Sequence, residues 1–158
     1  MSERTAKHDT TVVERKFKSS PARVFAAWKD PDAYGRWNYP GDDWVMSDYE
    51  NDFRVGGREK KTFGPKGDPK LTSEGSYLDI VPDSRIVSAF NMREHDTRIS
   101  ATLCTVELLA DGAGTRLILT DQSVFFDGRE TPTMRKSGWG QVLDRLKAHL
   151  GGENAAKI

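Results

Sequence analysis

Residues that commonly carry out catalysis or bind metal ions are few in this sequence and far apart. The three histidines are His8, His95 in a short charged run, and His149 near the end of the chain. None has Cys, Asp or Glu at the spacing of a metal-binding set, and the sequence has no nucleophile elbow, phosphate-binding loop or dinucleotide-binding fingerprint. We therefore predict no metal site, no cofactor and no catalytic residue.

The lone cysteine and the scattered carboxylates suggest little further chemistry. Between residues 101 and 109 the even positions, which include Cys104, alternate with odd positions that include Glu107. This alternation places Cys104 on the inward face of a strand, where a lone thiol usually acts as a small hydrophobic group rather than a nucleophile. Carboxylates are candidates only where a strand turns them inward, and these are Glu74, Asp79 and Asp83.

Arg135 is the charged residue best placed to meet a ligand. It falls within the apolar arc of a C-terminal helix, one turn before Trp139, where a guanidinium can bind an anionic or carbonyl-bearing group. The alternative is that its side chain snorkels from the helix end into solvent. Strand parity from the inward-facing Leu119 places Asp121 and Ser123 on the same face as polar pocket groups, unless a β-bulge breaks the alternation.

Large aromatic side chains indicate a pocket for a small molecule. Tryptophan, tyrosine and phenylalanine supply the broad, amphipathic surfaces that line such pockets, and Trp28 belongs to this set. The residues that we predict to bind a ligand are Trp37, Trp44, Phe63, Tyr77, Phe90, Met92, Cys104, Arg135, Trp139 and Leu143.

The element that must position these residues is an amphipathic helix over residues 131–150. At 100° per residue its apolar side chains share one arc, which predicts a helix lying across a sheet. Thr131 and Pro132 form a start signal, and Gly151 is a stop signal. Gly138 and Gly140 lie inside the helix, where each glycine destabilises the helix by about 1 kcal/mol relative to alanine. Their presence indicates either close packing on the sheet or room for a ligand.

The rest of the chain reads mostly as strands. Residues 10–18 form the first strand, and the cap-plus-proline signals Ser20-Pro21 and Asp30-Pro31 then start two short helices. Six further strands follow, each closed by a turn signal, and strands so close in sequence favour an antiparallel meander. We place these strands at residues 44–50, 58–63, 71–80, 85–93, 99–109 and 115–125.

Composition limits the kind of protein. We assign one domain to residues 10–151 and expect flexible tails at 1–9 and 152–158. Lys+Arg and Asp+Glu both number 24, so the formal net charge is zero, which argues against nucleic acid as the main partner. Without a signal-like segment or a long apolar stretch, we expect a cytoplasmic protein that does not insert into membranes.

Several short motifs together carry a family resemblance. They include the helix start at residues 20–28, Arg36-Trp37, Val55-Gly56-Gly57-Arg58, the strand and turn at 75–87, residues 114–117, and the helix segment 138–146. In this order the chain resembles the activator of heat-shock protein 90 ATPase homologue-like family, within the START and Bet v 1 superfamily. The resemblance implies an α+β helix-grip fold, in which a curved antiparallel sheet of about seven strands wraps a long C-terminal helix and encloses a cavity.

Three functions remain open at this stage. The first is non-catalytic binding of a small hydrophobic or aromatic ligand between the helix and the sheet, which predicts a sizeable apolar cavity. The second is a co-chaperone-like module for a heat-shock protein 90 homologue, which predicts a closed cavity and a large exposed apolar patch. The third is a cyclase- or dehydratase-type enzyme, which predicts a buried Asp or Glu next to Tyr77 or Arg135.

Overall fold

Seven strands form one antiparallel sheet in the order β1-β7-β6-β5-β4-β3-β2, accompanied by three helices. The computed structural model describes residues 4–39 and 43–155. The elements are β1 (Ala6–Phe17), α1 (Pro21–Lys29), α2 (Pro31–Trp37), β2 (Trp44–Asn51), β3 (Arg58–Pro65), β4 (Leu71–Val81), β5 (Arg85–Glu94), β6 (Thr97–Asp111), β7 (Gly114–Phe126) and α3 (Pro132–Ala155).

The helix starts follow from capping. The Ser20 hydroxyl accepts a hydrogen bond from the Arg23 amide at 3.3 Å, and the Asp30 carboxylate accepts one from the Asp32 amide at 3.0 Å. The Thr131 hydroxyl does the same for the Met134 amide at 3.2 Å. Each cap is followed by a proline at the first helical position, where the backbone N–H that proline lacks would have no partner within the helix. All three predicted helix starts are confirmed.

The first strand and the last helix each extend beyond the bounds that we predicted. β1 begins at Ala6, so residues 6–9, which we assigned to a tail, pair with residues 123–126 of β7. Their polar composition hid this strand, because it pairs through backbone groups and its side chains are mostly exposed. α3 also continues through Gly151 to Ala155, which shows that a glycine lowers helix propensity without always ending a helix.

The core is the inward face of the sheet covered by the helices. Even positions from Ser100 to Leu108 of β6 and odd positions of β7 are buried, as the alternation predicts. Asp121 and Ser123 are 1% and 5% exposed, so the alternation continues to the end of β7 and the bulge alternative is wrong. Leu143 and Leu146 of α3 pack in the same core as Val13 and Leu117. No helix within residues 4–39 and 43–155 is long and apolar enough to cross a membrane.

Candidate functional site

A cavity of about 700 Å³ lies between the first half of α3 and strands β3 to β6. This volume falls within the range of small-molecule sites. The inward residues of the strands form one wall, residues 133–142 of α3 form the other, and Trp28 and Tyr34 come from the short helices. The lining therefore combines aromatic and aliphatic surface with a small number of polar groups.

All but two of the predicted ligand-binding residues line this cavity. The residues that do so are Trp44, Phe63, Tyr77, Phe90, Met92, Cys104, Arg135 and Trp139. Trp37 lies outside it, 1% exposed, with its ring against Trp28 and Tyr34 and its indole N–H donating to the Ala27 carbonyl at 3.1 Å. Leu143 is fully buried in the core. These two residues support the site without facing it.

One end of the cavity is exposed and carries charge. Lys70, Glu94 and Arg129 line this end and are partly exposed. The Glu94 carboxylate lies 3.7 Å from the Lys70 ammonium and 3.4 Å from the Arg129 guanidinium. Met134 of α3, which is 57% exposed, also lines the cavity. These charged side chains form a polar rim beside the apolar lining of the cavity.

Arg135 is the centre of a buried cluster on the α3 side of the cavity. Its guanidinium donates to both oxygens of Glu130, at 2.6 and 2.8 Å, and to Asp121 at 2.9 Å. It also donates to three hydroxyls, those of Ser100, Thr102 and Ser123. Burial lowers the pKa of Arg135, but the hydrogen bonds and charges of Glu130 and Asp121 outweigh burial, so the pKa is raised overall.

The cluster changes the interpretation of Arg135. The residue is 5% exposed, so it does not snorkel into solvent. A guanidinium has five N–H donors, and acceptors within the fold occupy all three of its nitrogens. The Trp139 indole N–H donates to the same Asp121 oxygen at 2.7 Å. Arg135 and Trp139 therefore tie α3 to the sheet, and Arg135 has no donor left over for an acidic ligand.

Cys104 lies at the cavity wall as a protonated thiol. Burial and then the Asp121 charge raise its pKa, while Arg135 acts in the opposite direction. A raised pKa suppresses the thiolate, which is the reactive form. Cys104 therefore contributes apolar lining, as its position on β6 predicts.

A second polar group lines the cavity, and the sequence analysis did not identify it. Lys61 is 7% exposed, and its ammonium donates to the backbone carbonyl of Asn38 at 2.6 Å. Two residues earlier on β3, Glu59 accepts hydrogen bonds from the hydroxyls of Tyr34 at 3.0 Å and Tyr77 at 3.3 Å. Burial lowers the pKa of Lys61 to about 8, against the opposing effect of Glu59. Burial, followed by Glu59, raises the pKa of both tyrosines.

The alternation of side chains along β3 indicates that Lys61 and Glu59 face the cavity. Phe63 was predicted to face the pocket, and a strand repeats its facing every two residues, so Lys61 and Glu59 share its face. Charged residues usually point to solvent, and that rule concealed them. The signal was the parity itself, which applies to polar residues as well as apolar ones.

The other predicted chemistry does not assemble in the cavity. Glu74 pairs with Arg58, and Asp79 pairs with Arg85 at 2.6 Å, both on partly exposed surface. Asp83 is exposed in the turn after β4. Across the described part of the chain, no set of three His, Cys, Asp or Glu residues is arranged to hold a metal ion.

The helix glycines serve different purposes. A Cβ on Gly138 would meet no atom within 4 Å, and Gly138 lines the cavity. Close packing therefore does not explain this glycine, and the space beside it is open. A Cβ on Gly140 would lie 3.2 Å from the Arg15 side chain, so this position is more crowded.

These features define a helix-grip protein: an antiparallel seven-stranded sheet, two short helices after the first strand, and a long C-terminal helix beside a cavity. The family model described as activator of Hsp90 ATPase homolog 1-like protein matches residues 18–151. The chain belongs to this family, and membership suggests a ligand-binding or co-chaperone-like module.

Solved structures agree with this assignment. A protein from Rhizobium leguminosarum is 39% identical, with 95% of this chain and 99% of that chain covered and a TM-score of 0.86. The Mll3558 protein from Rhizobium loti is also 39% identical, with 92% and 99% covered and a TM-score of 0.84. An AHSA1-like protein from Aeromonas hydrophila, at 24% identity, 92% and 94% coverage and a TM-score of 0.72, shares the fold. No curated protein matches the chain.

Proposed function

We propose that this protein binds a small hydrophobic or aromatic molecule in the cavity between α3 and the sheet, without converting it chemically. The observation that supports this most directly is a cavity of about 700 Å³ lined by Trp44, Phe63, Phe90 and Trp139. Such a volume and lining suit a drug-sized apolar ligand.

An amide NMR titration against fatty acids, sterols, flavonoids and aromatic polyketides tests this proposal. Saturable shifts should cluster on residues that line the cavity, such as Phe90, Cys104 and Trp139. A Ser88→Phe variant adds a ring from the cavity wall and should weaken binding at least about tenfold, or about 1.4 kcal/mol.

Ser76→Phe is the matched control, because Ser76 on the neighbouring strand does not line the cavity. It introduces the same ring and should leave binding unchanged. Equal affinities for the wild type and Ser88→Phe would place the ligand elsewhere and refute the proposal.

A co-chaperone role is the second candidate, and the family match over residues 18–151 favours it. The test is whether the purified protein stimulates the ATPase of a bacterial heat-shock protein 90 homologue. Stimulation that Ser88→Phe does not affect would point to a surface interaction rather than to the cavity.

An enzymatic role is the third candidate, and the neighbourhood of Tyr77 favours it. The Tyr77 hydroxyl donates to the Asn51 amide oxygen at 2.7 Å and lies 3.3 Å from Glu59, so a hydroxyl and a carboxylate stand together at the cavity wall as a candidate acid and base. Recovering every ligand of the panel unchanged after long incubation with the protein would count against this candidate.

A further inference from the structure

Lys61 is a buried cation that forms no ion pair with any of the described side chains. The side chain lines the cavity and is 7% exposed. An ammonium has three donors, and one of them is bonded to the Asn38 carbonyl. Among residues 4–39 and 43–151, no carboxylate lies within ion-pairing distance of the Lys61 ammonium. Burying a charge without a partner is costly, so proteins normally pair such groups.

The nearest acid in sequence is engaged with other groups. Glu59 lies two residues away on the same face of β3, about 6.6 Å along the strand at 3.3 Å per residue. Its two carboxylate oxygens accept hydrogen bonds from the Tyr34 and Tyr77 hydroxyls. The tyrosines hold this carboxylate out of ion-pairing contact with the ammonium, and the Glu59 charge offsets only part of the effect of burial on the pKa of Lys61.

The other cations that line the cavity already have partners. Arg135 is saturated by Glu130, Asp121 and neighbouring hydroxyls. Lys70 and Arg129 both pair with Glu94 at the exposed rim, where water screens their charge. Lys61 therefore differs from every other cation that lines the cavity among the described residues. It is buried, and its ammonium has N–H donors that are not bonded to an acceptor of these residues.

Resting on the proposed cavity function, we infer that Lys61 binds the carboxylate of a hydrophobic acid. The apolar body of the acid lies along Phe63 and Phe90. Phe63 is already next to the ammonium, with 5.1 Å between Nζ and the ring centroid, so the polar anchor and the apolar wall are contiguous. The Asn38 carbonyl holds the ammonium in place while its remaining donors meet the ligand.

The test compares two acids with their neutral esters. Decanoic acid and 2-naphthoic acid are titrated against methyl decanoate and methyl 2-naphthoate, with calorimetry and amide NMR as readouts. A hydrogen bond to a charged group is strong enough that wild type should bind the acids about 10- to 100-fold more tightly than the esters. Lys61→Met should lose this preference and still bind the esters.

Two control variants isolate Lys61 from general charge effects. Lys60→Met removes the neighbouring lysine, which does not line the cavity, and Lys70→Met removes a rim cation. Both should keep the acid preference of the wild type. In protein labelled with [13C]lysine, the Lys61 Cε resonance should shift on adding an acid and stay in place on adding the ester.

The outcomes separate this inference from the proposed function. Cavity binding of acid and ester with equal affinity, or an acid preference that Lys61→Met retains, overturns the role of Lys61 and leaves the cavity function intact. Loss of the preference in Lys70→Met instead assigns the anion to the rim and also overturns the inference. Absence of binding by all four probes refutes the inference and counts against the cavity function.

Discussion

Replacing Arg135 by methionine should destabilise the protein strongly, although the residue lies beside a candidate ligand site. Methionine keeps much of the side-chain length but removes every donor. Asp121, which is 1% exposed, then loses its charged partner and keeps only the Trp139 indole and the Ser123 hydroxyl. Glu130 loses two hydrogen bonds at 2.6 and 2.8 Å. The variant therefore leaves two carboxylates without their cation.

Breaking a buried ion pair typically costs about 3–5 kcal/mol, because the remaining charge stays buried without compensation. The lower end of that range applies here, since Asp121 retains two hydrogen-bond donors. For a chain of this length, about 3 kcal/mol corresponds to a fall in Tm of about 6–12 °C.

Urea denaturation and thermal melting of Arg135→Met measure this effect. Arg116→Met is the matched control, because Arg116 forms an ion pair with Glu14 in which the two side chains are 45% and 47% exposed. Exposed pairs contribute less than about 1 kcal/mol, so the control should melt close to the wild type. Adding Asp121→Leu to Arg135→Met should recover part of the loss by removing a stranded charge. If Arg135→Met unfolds within about 1 kcal/mol of the wild type, the cluster does not stabilise α3 as we argue.

Three further predictions concern single residues. The pKa of Lys61 is about 8 in the fold and near 10.4 in an unfolded chain, so the unfolded state binds more protons between these values and the Lys61 contribution to stability rises with pH there. Lys61→Met should accordingly be more stable than the wild type at pH 7. In urea titrations, the difference in free energy of unfolding should shrink by up to about 3 kcal/mol towards pH 10. A difference that does not change with pH would contradict the lowered pKa of Lys61. Cys104 should react with a thiol reagent at pH 8 at least about 100-fold more slowly in the native protein than in urea, and equal rates would show that the thiol is accessible and ionised. Gly138→Ala should raise the free energy of unfolding by about 0.5–1 kcal/mol, since its Cβ enters open space. Gly75→Ala, whose Cβ would lie 2.0 Å from the Ala89 carbonyl oxygen, should be strongly destabilising, and similar melting of the two variants would contradict this difference.

Local signals predicted the fold well because each acts within a few residues. The caps at Ser20, Asp30 and Thr131 form the expected side-chain to backbone bonds. The turns between the later strands also lie where glycine, proline and aspartate placed them. Strand β1 was shortened in the prediction because residues 6–9 lack apolar alternation, and their pairing with β7 is a long-range interaction that composition does not record.

The site was harder to predict because sequence periodicity shows which way a side chain points but not whether it lines the cavity or packs in the core. Trp37 and Leu143 are inward-facing, as their patterns indicate, yet both are packed in the core beyond the cavity. Arg135 was correctly placed inside the apolar arc, but its partners come from β6, β7 and Glu130 and could not be assigned from helix periodicity. Lys61 was omitted because its charge outweighed its strand parity in the prediction.

The two buried cations illustrate how a cavity and a stable helix coexist in one fold. From Val142 onwards α3 packs in the core, through Leu143, Leu146 and Leu150, whereas residues 132–138 contribute nothing to the buried apolar cluster and border the cavity. Arg135 supplies the missing attachment there, because its directional bonds hold the helix without filling the cavity. Lys61 is bonded to the neutral Asn38 carbonyl and forms no ion pair with the described side chains, so its charge is available to a ligand. The same physical requirement, that a buried charge be paired, thus implies a structural role for Arg135 and a binding role for Lys61.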